Sequence, residues 1–145
     1  MAIKSFFALM RNAYSVYDKY CQEVTRSWGI NSTSFQILMF LANFPESNTA
    51  RDVCIHRGLK TGIVSVSIEH LVERGLVERR VDPVDRRIQR LYLTDLAQEL
   101  VESGNQIQNR FYNRLRTGLT DEEFDTYYEL TKKIQTIIDD MDRDI

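Results

Sequence analysis

The segment from Lys60 to Leu93 constrains the fold more than any other part of the sequence, because a helical pattern runs directly into a hairpin pattern. Its first part places apolar residues at helical spacing, and a glycine follows where helices commonly end in the left-handed conformation. The apolar positions are Val64, Ile68, Leu71 and Val72, and the glycine is Gly75. The pattern predicts a helix from Lys60 to Arg74.

Beyond Gly75 the residues alternate, with many β-branched and aromatic side chains, on both sides of a short turn. The predicted strands are Val77 to Val81 and Ile88 to Leu93. The turn between them, DPVDRR, contains a proline that presets φ and aspartates that can bond their own backbone. We therefore predict a β-hairpin with a charged, exposed tip.

A helix followed at once by a basic hairpin suits DNA, because the helix fits the major groove while arginines reach phosphates or the minor groove. A second helix precedes this segment: Thr49 can cap a helix from Ala50 to His56, and a turn containing Gly58 follows. Two helices joined in this way predict a helix-turn-helix. Its outward face is expected to carry Lys60, Thr61, Ser65 and Glu69, with Thr61 and Ser65 at base edges and Arg51, Arg57 and Lys60 at phosphates.

Long amphipathic helices are predicted on both sides of this middle segment. The first helix runs from Ile3 to Arg26, and the next from Phe35 to Asn43. Either Asn31 or Thr33 is expected to be the N-cap of the second helix, and Thr33 with Gln36 has the form of a capping box. After the hairpin, Thr94 and Asp95 cap a helix that runs to about Arg116 and ends at Gly118. Thr120 and Glu123 form a capping box for a last helix, whose apolar stripe continues to Ile145.

The stripes on these flanking helices carry more apolar surface than one chain of 145 residues is expected to leave in water. Burial against a second copy explains them best, and a bundle within one chain is the alternative. Charge is also uneven: residues 51–90 contain nine Lys or Arg against six Asp or Glu, and residues 121–145 contain three against nine. This asymmetry predicts one DNA-binding end and one non-binding end, although the formal net charge is −2.

The stretch GLVERRVDPVDRRIQRLYLT, residues 75–94, resembles the wing of the MarR family of bacterial winged helix-turn-helix transcription regulators. The shared pattern is a Gly-Leu-Val-x-Arg strand, an Asp-x-x-Asp-x-Arg tip and a returning strand that ends in Leu-Thr. The remaining elements fit the family in order and size. The resemblance implies a mainly α fold with a small β wing: an N-terminal dimerisation helix in residues 1–30, a winged helix-turn-helix in 31–94 and C-terminal dimerisation helices in 95–145.

The resemblance also implies a homodimer that binds double-stranded DNA at a pseudo-palindromic operator, as a repressor released by a small effector. Arg87 aligns with the wing-tip arginine that enters the minor groove, and Asp85 with the acid that orients it. Physically, a cation fits the negative potential of a narrow A·T-rich minor groove. Arg86 and Arg90 are expected to be auxiliary phosphate contacts. The alternative for this tip is a solvated turn. For Arg79 or Arg80, an ion pair with Glu78 or Asp82 is expected instead of a DNA contact.

The predicted recognition helix departs from the family after Ser65, where a long polar residue is common and this chain has Val66. Valine can only touch a thymine methyl group, whereas arginine can bond guanine through two donors. We therefore expect an A·T-rich site that is read partly through DNA shape.

The resemblance implies a small aromatic or amphipathic effector. The candidates to line its pocket are Tyr14, Tyr17, Trp28 and Phe35, with packing in the core as the alternative.

Cys21 is a candidate redox residue because some family members sense peroxide through a first-helix cysteine, but its apolar stripe favours an inert thiol. Two cysteines are too few for a disulfide scaffold. A metal site that combines His56 or His70 with Cys54 or Glu69 lacks a recognisable second ligand pair, so none is predicted.

No phosphate-binding glycine loop and no Ser-His-Asp or Cys-His arrangement is evident, so neither an enzyme nor a cofactor is expected. No apolar run approaches the ~20 residues that span a bilayer, and the N-terminus, interrupted by Arg11, lacks a cleavage-site pattern. We expect a cytoplasmic protein with no membrane partner. The alternative functions are a MarR-like dimeric interaction protein with weak or no specific DNA binding, and a cysteine-based redox sensor.

Overall fold

The structure, a computed structural model, describes residues 2–143, with side chains from Lys4 onward. Over this range the chain forms six helices and one two-stranded antiparallel sheet. In chain order they are α1 (Ala2–Trp28), α2 (Ser32–Asn43), α3 (Ala50–Arg57), α4 (Thr61–Glu73), β1 (Val77–Val81), β2 (Gln89–Leu93), α5 (Asp95–Arg116) and α6 (Asp121–Arg143). The predicted mainly α fold with a β wing is confirmed.

The chain divides into two compact units, residues 1–107 and residues 108–145. The first unit contains a core built around α2, which is apolar on nearly all sides and buries seven of its twelve residues. Fully buried side chains from α2, α4, the start of β1 and α5 form this core; they include Phe35, Ile37, Leu38, Leu71, Leu76 and Leu100. Burying one such side chain contributes about 1.5–3 kcal/mol, so the core holds the helix-turn-helix and the wing together.

α5 approaches α2 closely at Gly104. A Cβ added there would lie 2.4 Å from Met39 Sδ and 3.2 Å from Phe35 Cζ. The absence of a side chain at this position is therefore what allows the two helices to pack at this distance.

The second unit is held by contacts around Phe124, the buried residue of α6. The Tyr112 ring meets the Phe124 ring edge-on with centroids 5.4 Å apart, and the Arg116 guanidinium lies 4.6 Å from the centre of the same ring. The remaining large apolar side chains of α6 are exposed; they are Tyr127, Tyr128, Leu130, Ile134, Ile137, Ile138 and Met141. The predicted stripe thus exists, although its last member, Ile145, lies outside the described residues.

Capping chemistry accounts for most of the helix boundaries. Thr120 and Glu123 form the predicted reciprocal pair before α6, with the Thr120 N–H 2.8 Å from Glu123 Oε2 and the Glu123 N–H 3.2 Å from Thr120 Oγ1. Thr49 and Asp52 form a capping box before α3, and Gly75 adopts the predicted left-handed conformation after α4, with φ of 70°. These local signals fix where the elements begin and end.

Several predicted boundaries are wrong. α1 continues to Trp28, beyond the predicted end at Arg26, and stops before Gly29, which has φ of 61°. α2 begins at Ser32 rather than at Phe35. Of the two predicted N-caps Asn31 is confirmed, since it accepts from the Ser34 N–H at 2.8 Å, and Thr33 lies inside the helix. α3 includes Arg57, α4 starts at Thr61 rather than at Lys60, and β2 starts at Gln89 rather than at Ile88.

Thr94 does not use its side chain to cap α5 as predicted. Its hydroxyl donates to the Gly75 carbonyl oxygen at 2.6 Å, and its backbone N–H donates to the Leu76 carbonyl oxygen at 3.1 Å. Thr94 therefore closes the base of the hairpin onto the end of α4.

No helix within residues 2–143 is both long enough and apolar enough to cross a membrane.

Candidate nucleic-acid interface

The helix-turn-helix consists of α3 and α4, joined by a turn at Gly58. Gly58 has φ of 60°, a conformation that favours glycine. Val53 of α3 is buried, and so are Val64, Ile68 and Leu71 of α4, as their spacing predicted. The fourth predicted position, Val72, is half-buried against the same core. The opposite face of α4 is therefore exposed, and Thr61 and Ser65, the predicted base-reading residues, both lie on it.

The exposed face of α4 is more apolar than expected. Val66 is 72% exposed and Ile63 is 47% exposed. Glu69 lies on the same face but forms an ion pair with Arg79 of β1 at 2.7 Å. The exposure of Ile63 was not predicted, because the outward face was expected to carry only Lys60, Thr61, Ser65 and Glu69.

The wing pairs β1 with β2 in the register Val77 to Leu93 and Val81 to Gln89, as a hairpin whose tip spans residues 82–88. Asp82 organises this tip. Its Oδ1 accepts hydrogen bonds from the backbone N–H groups of Val84 at 2.8 Å and Asp85 at 2.9 Å, and its Oδ2 accepts from Arg90 Nε at 2.5 Å. The N–H of Asp85, followed by the Arg90 guanidinium, lowers the pKa of the Asp82 carboxyl to about 2, so the group is ionised at neutral pH.

Arg90 connects the wing to the loop before α3. Its Nη1 donates to Asn48 Oδ1 at 2.9 Å, and the Asn48 carbonyl oxygen accepts from the Leu91 N–H at 2.8 Å. Asn48 is buried, and the Asp82 side chain is only 8% exposed. Arg90 was expected to contact phosphate, but the structure gives its guanidinium two partners within the protein and so supports a structural role instead.

Asp85 acts on the backbone of the tip. Its carboxylate accepts from the Arg87 N–H at 3.0 Å, whereas the resemblance implied that this acid orients the arginine side chain. Arg86 and Arg87 are both exposed, and within residues 2–143 neither guanidinium has an ion-pair partner. The tip thus presents two adjacent cations on a frame fixed by Asp82 and Asp85.

The other arginines of the wing have partners. Arg80 pairs with Glu78, one of the predicted alternatives, and its guanidinium lies 4.4 Å from the centre of the Tyr92 ring. Arg79 pairs with Glu69, which was not among the alternatives considered.

The three predicted phosphate contacts of the helix-turn-helix lie at the surface. Arg51 and Lys60 are exposed, and Lys60 is the N-cap of α4 without a side-chain capping bond. Arg57 is also exposed, but its Nη2 donates to Gln36 Oε1 at 2.8 Å. This neutral partner leaves its positive charge uncompensated.

The four aromatic residues suggested for an effector pocket do not share one accessible surface. Phe35 is 1% exposed and belongs to the core, which excludes it as a pocket residue in this conformation. Tyr17 and Trp28 are half-buried beside the core, and Tyr14 is exposed on α1.

Cys21 is buried on α1, and burial raises the pKa of its thiol, which reduces the reactive thiolate at neutral pH. Cys54 is half-buried, and His56 stacks with Phe40 and Phe44 rather than facing a ligand set. Within residues 2–143 no group of three or more His, Cys, Asp or Glu residues is arranged to hold a metal ion.

Comparison with known proteins agrees with this geometry. Residues 28–88 match the model of the MarR family. The transcriptional repressor MprA of Escherichia coli K12 is 27% identical over 125 residues, which cover 84% of this chain and 70% of MprA.

Solved structures share the fold over nearly the whole chain. A crystal structure of MarR superposes with a TM-score of 0.80 at 15% identity, covering 95% of this chain and 93% of that one. A Staphylococcus aureus MepR–DNA complex superposes with a TM-score of 0.62 at 22% identity, covering 90% of this chain and 98% of that one. Bordetella bronchiseptica BpsR, whose DNA binding is regulated by 6-hydroxynicotinic acid, gives 0.68 at 24% identity, covering 88% and 91%. The winged-helix segment of the chain therefore matches the MarR family model, and the chain has the fold of these regulators over most of its length.

Proposed function

We propose that this MarR-type transcriptional regulator binds a pseudo-palindromic DNA operator as a homodimer and represses transcription until a small molecule releases it. The observation that carries the proposal is the wing tip. Arg86 and Arg87 are exposed and, among the described residues, have no acidic partner. They lie on a hairpin whose tip is fixed by Asp82 and whose strand β1 pairs with α4 through Arg79 and Glu69. A rigid pair of cations next to an exposed helix suits simultaneous contact with the minor and major grooves.

DNA binding is further supported by Arg51 and Lys60, which add exposed positive charge to the helix-turn-helix. Arg57 adds another, since its partner is neutral. Arg90 is not among the proposed contacts, because Asp82 and Asn48 occupy its guanidinium. The MepR–DNA complex supports the same use of the shared fold.

Homodimerisation is supported by the exposed apolar side chains of α6 and of the N-terminal half of α1. Leu9 and Met10 on α1 are 68% and 57% exposed, and Ile137 and Met141 on α6 are 57% and 59% exposed. Exposed apolar stripes of this length are a signature of an interface. Two copies would place two winged lobes on the two half-sites of a symmetric operator.

The test is a binding titration with DNA from upstream of the protein's own gene, with unrelated DNA as competitor. Arg87→Ala should weaken specific binding at least tenfold, and the salt dependence should lose about two phosphate equivalents, one from each protomer. Arg26→Ala, an exposed arginine of α1, is the matched control and should leave both unchanged. No preference over competitor DNA would favour the alternative, a MarR-like dimer that acts by binding another protein.

Release by an effector is testable because Trp28 is the only tryptophan in the sequence. An aromatic acid such as a hydroxynicotinate or salicylate that binds beside Tyr17 and Trp28 should change Trp28 fluorescence at the same concentrations that weaken DNA binding. Loss of DNA binding without any fluorescence change would place the effector elsewhere. Cys21 has no role in this proposal, since its burial and raised pKa disfavour peroxide sensing.

A further inference from the structure

The exposed face of α4 lacks a free long polar side chain over its first two turns. Thr61, Gly62, Ile63, Ser65 and Val66 are all exposed there. Val66, 72% exposed, and Ile63, 47% exposed, lie three residues apart and therefore on neighbouring parts of one helix surface. These side chains contribute little to the core, which Val64 and Ile68 occupy from the opposite face.

Gly62 forms a recess beside Val66, four residues earlier on the same face. A Cβ at Gly62 would meet nothing within 4 Å, and the residue does not have a positive φ. The packing and backbone geometry of the chain therefore do not require glycine here. A surface that approaches α4 can come closer at this position than at any neighbouring residue with a side chain.

Exposed cations elsewhere on the same lobe indicate the chemistry of the partner that this apolar surface fits. Arg51 and Lys60 are exposed, and Arg86 and Arg87 form the unpaired wing tip. Glu69, the acid on the same helix face, is held by Arg79 at 2.7 Å. An apolar helix surface on a lobe that also exposes uncompensated cations suits the major groove of DNA, where phosphates flank the methyl groups of thymine, better than the apolar helix of a protein partner.

We infer that Val66 and Ile63 determine operator specificity by contacting thymine methyl groups in the major groove. This inference rests on the proposed DNA-binding function and adds the chemical feature that is read. Among the four bases only thymine presents a methyl group in that groove. The hydroxyls of Thr61 and Ser65 can donate or accept a hydrogen bond, so they tolerate several bases. Sequence preference at this helix then depends mainly on where the methyl groups lie.

The experiment starts with a double-stranded oligonucleotide selected by the protein from a random pool. Each thymine of the half-site is replaced in turn by deoxyuridine, which removes only the methyl group, and Kd is measured by fluorescence anisotropy. At one or two positions the replacement should weaken binding about fourfold per half-site, the factor that corresponds to one buried methyl group. Symmetric replacement in both half-sites should weaken binding about 15-fold.

Alanine variants of α4 test which side chain contacts each thymine methyl group. Val66→Ala or Ile63→Ala should abolish the deoxyuridine penalty at one thymine, because the contact is already lost. Val81→Ala, at a valine that is 57% exposed on β1, is the matched control and should keep the penalty. The melting temperature of each variant, compared with that of the wild type, verifies that the substitution leaves the fold intact.

Three results would overturn the inference. If every deoxyuridine probe binds within twofold of its thymine parent while Arg87→Ala still weakens specific binding at least tenfold, methyl reading is wrong and the proposed function stands. If the penalty is equal in wild type, Val66→Ala and Ile63→Ala, another part of the protein reads the methyl group. If selection yields no preferred sequence, the inference and the proposed function fail together.

Discussion

Two helical glycines, Gly62 and Gly104, allow a matched test of how the core limits substitution. Both lie within helices and neither has a positive φ. A Cβ at Gly62 would meet nothing within 4 Å, whereas at Gly104 it would lie 2.4 Å from Met39 Sδ. Exchange for alanine should therefore change the free energy of unfolding in opposite directions.

The magnitudes follow from two opposing effects. Alanine stabilises a helix by about 0.5–1 kcal/mol relative to glycine, and at Gly62 nothing opposes this gain. At Gly104, Met39 and Phe35 must move to admit the new methyl group, and overpacking of this kind costs about 1–3 kcal/mol. Gly62→Ala should thus raise the free energy of unfolding by up to about 1 kcal/mol. Gly104→Ala should lower it by up to about 2 kcal/mol after the helix gain is subtracted.

The assay is urea unfolding followed by circular dichroism, at one fixed protein concentration because association would shift the apparent stability. A third variant, Met39→Val, lacks the Sδ and Cε atoms that would collide with the new Cβ. In that background Gly104→Ala should become neutral or stabilising, which gives a coupling energy of about 1–3 kcal/mol. Equal stabilisation by Gly62→Ala and Gly104→Ala, or additivity with Met39→Val, would refute the packing argument.

The other predictions concern a carboxylate, a helix cap and the cysteines. The Asp82 pKa is about 2 in the fold against an ordinary 3.8, so its contribution to stability is complete above about pH 4 and is lost as the pH falls toward 2. Urea midpoints measured between pH 4 and 2 should therefore depend less on pH in Asp82→Asn than in wild type, and equal slopes would contradict the assignment. Thr49→Ala removes the capping box of α3 and should cost about 1 kcal/mol in unfolding experiments. Thr33→Ala, inside α2, should cost much less, and a similar loss in both would argue against the cap. Cys21 should react with a thiol reagent more slowly than Cys54, because it is buried and its pKa is raised; the rates are measurable in Cys21→Ser and Cys54→Ser.

Features set by neighbouring residues were predictable from the sequence. Gly75 stops α4, and Thr120 pairs with Glu123 before α6, because each signal depends on the backbone within three or four residues. Three of the four predicted core positions of α4, Val64, Ile68 and Leu71, are buried for a similar reason, since their spacing matches the turn of the helix. Val72 is half-buried, and the buried Ser67 was not predicted because it is polar. Where two caps competed, at Asn31 and Thr33, the pattern could not decide between them, because both side chains can accept a backbone hydrogen bond.

Features set by distant residues were not predictable. Arg87 and Arg90 are the same residue type three positions apart, yet the tip presents Arg87 while Arg90 is bound to Asp82 and Asn48. Asn48 lies 42 positions earlier in the chain than Arg90, so no local pattern connects them. For Phe35 the sequence left an effector pocket and the core as alternatives, and the elements packed around α2 place it in the core.

The link between the wing and α3 has a consequence for how a signal can act on DNA binding. Asn48 immediately precedes Thr49, the cap of α3, and it holds both Arg90 and the backbone of Leu91. A displacement of β2 is therefore transmitted through Asn48 to the first helix of the helix-turn-helix, and Asp82 transmits it to the tip. The first helix of the helix-turn-helix and the wing tip are therefore expected to move as one rigid body. A regulating ligand changes DNA binding most when it rotates this whole body.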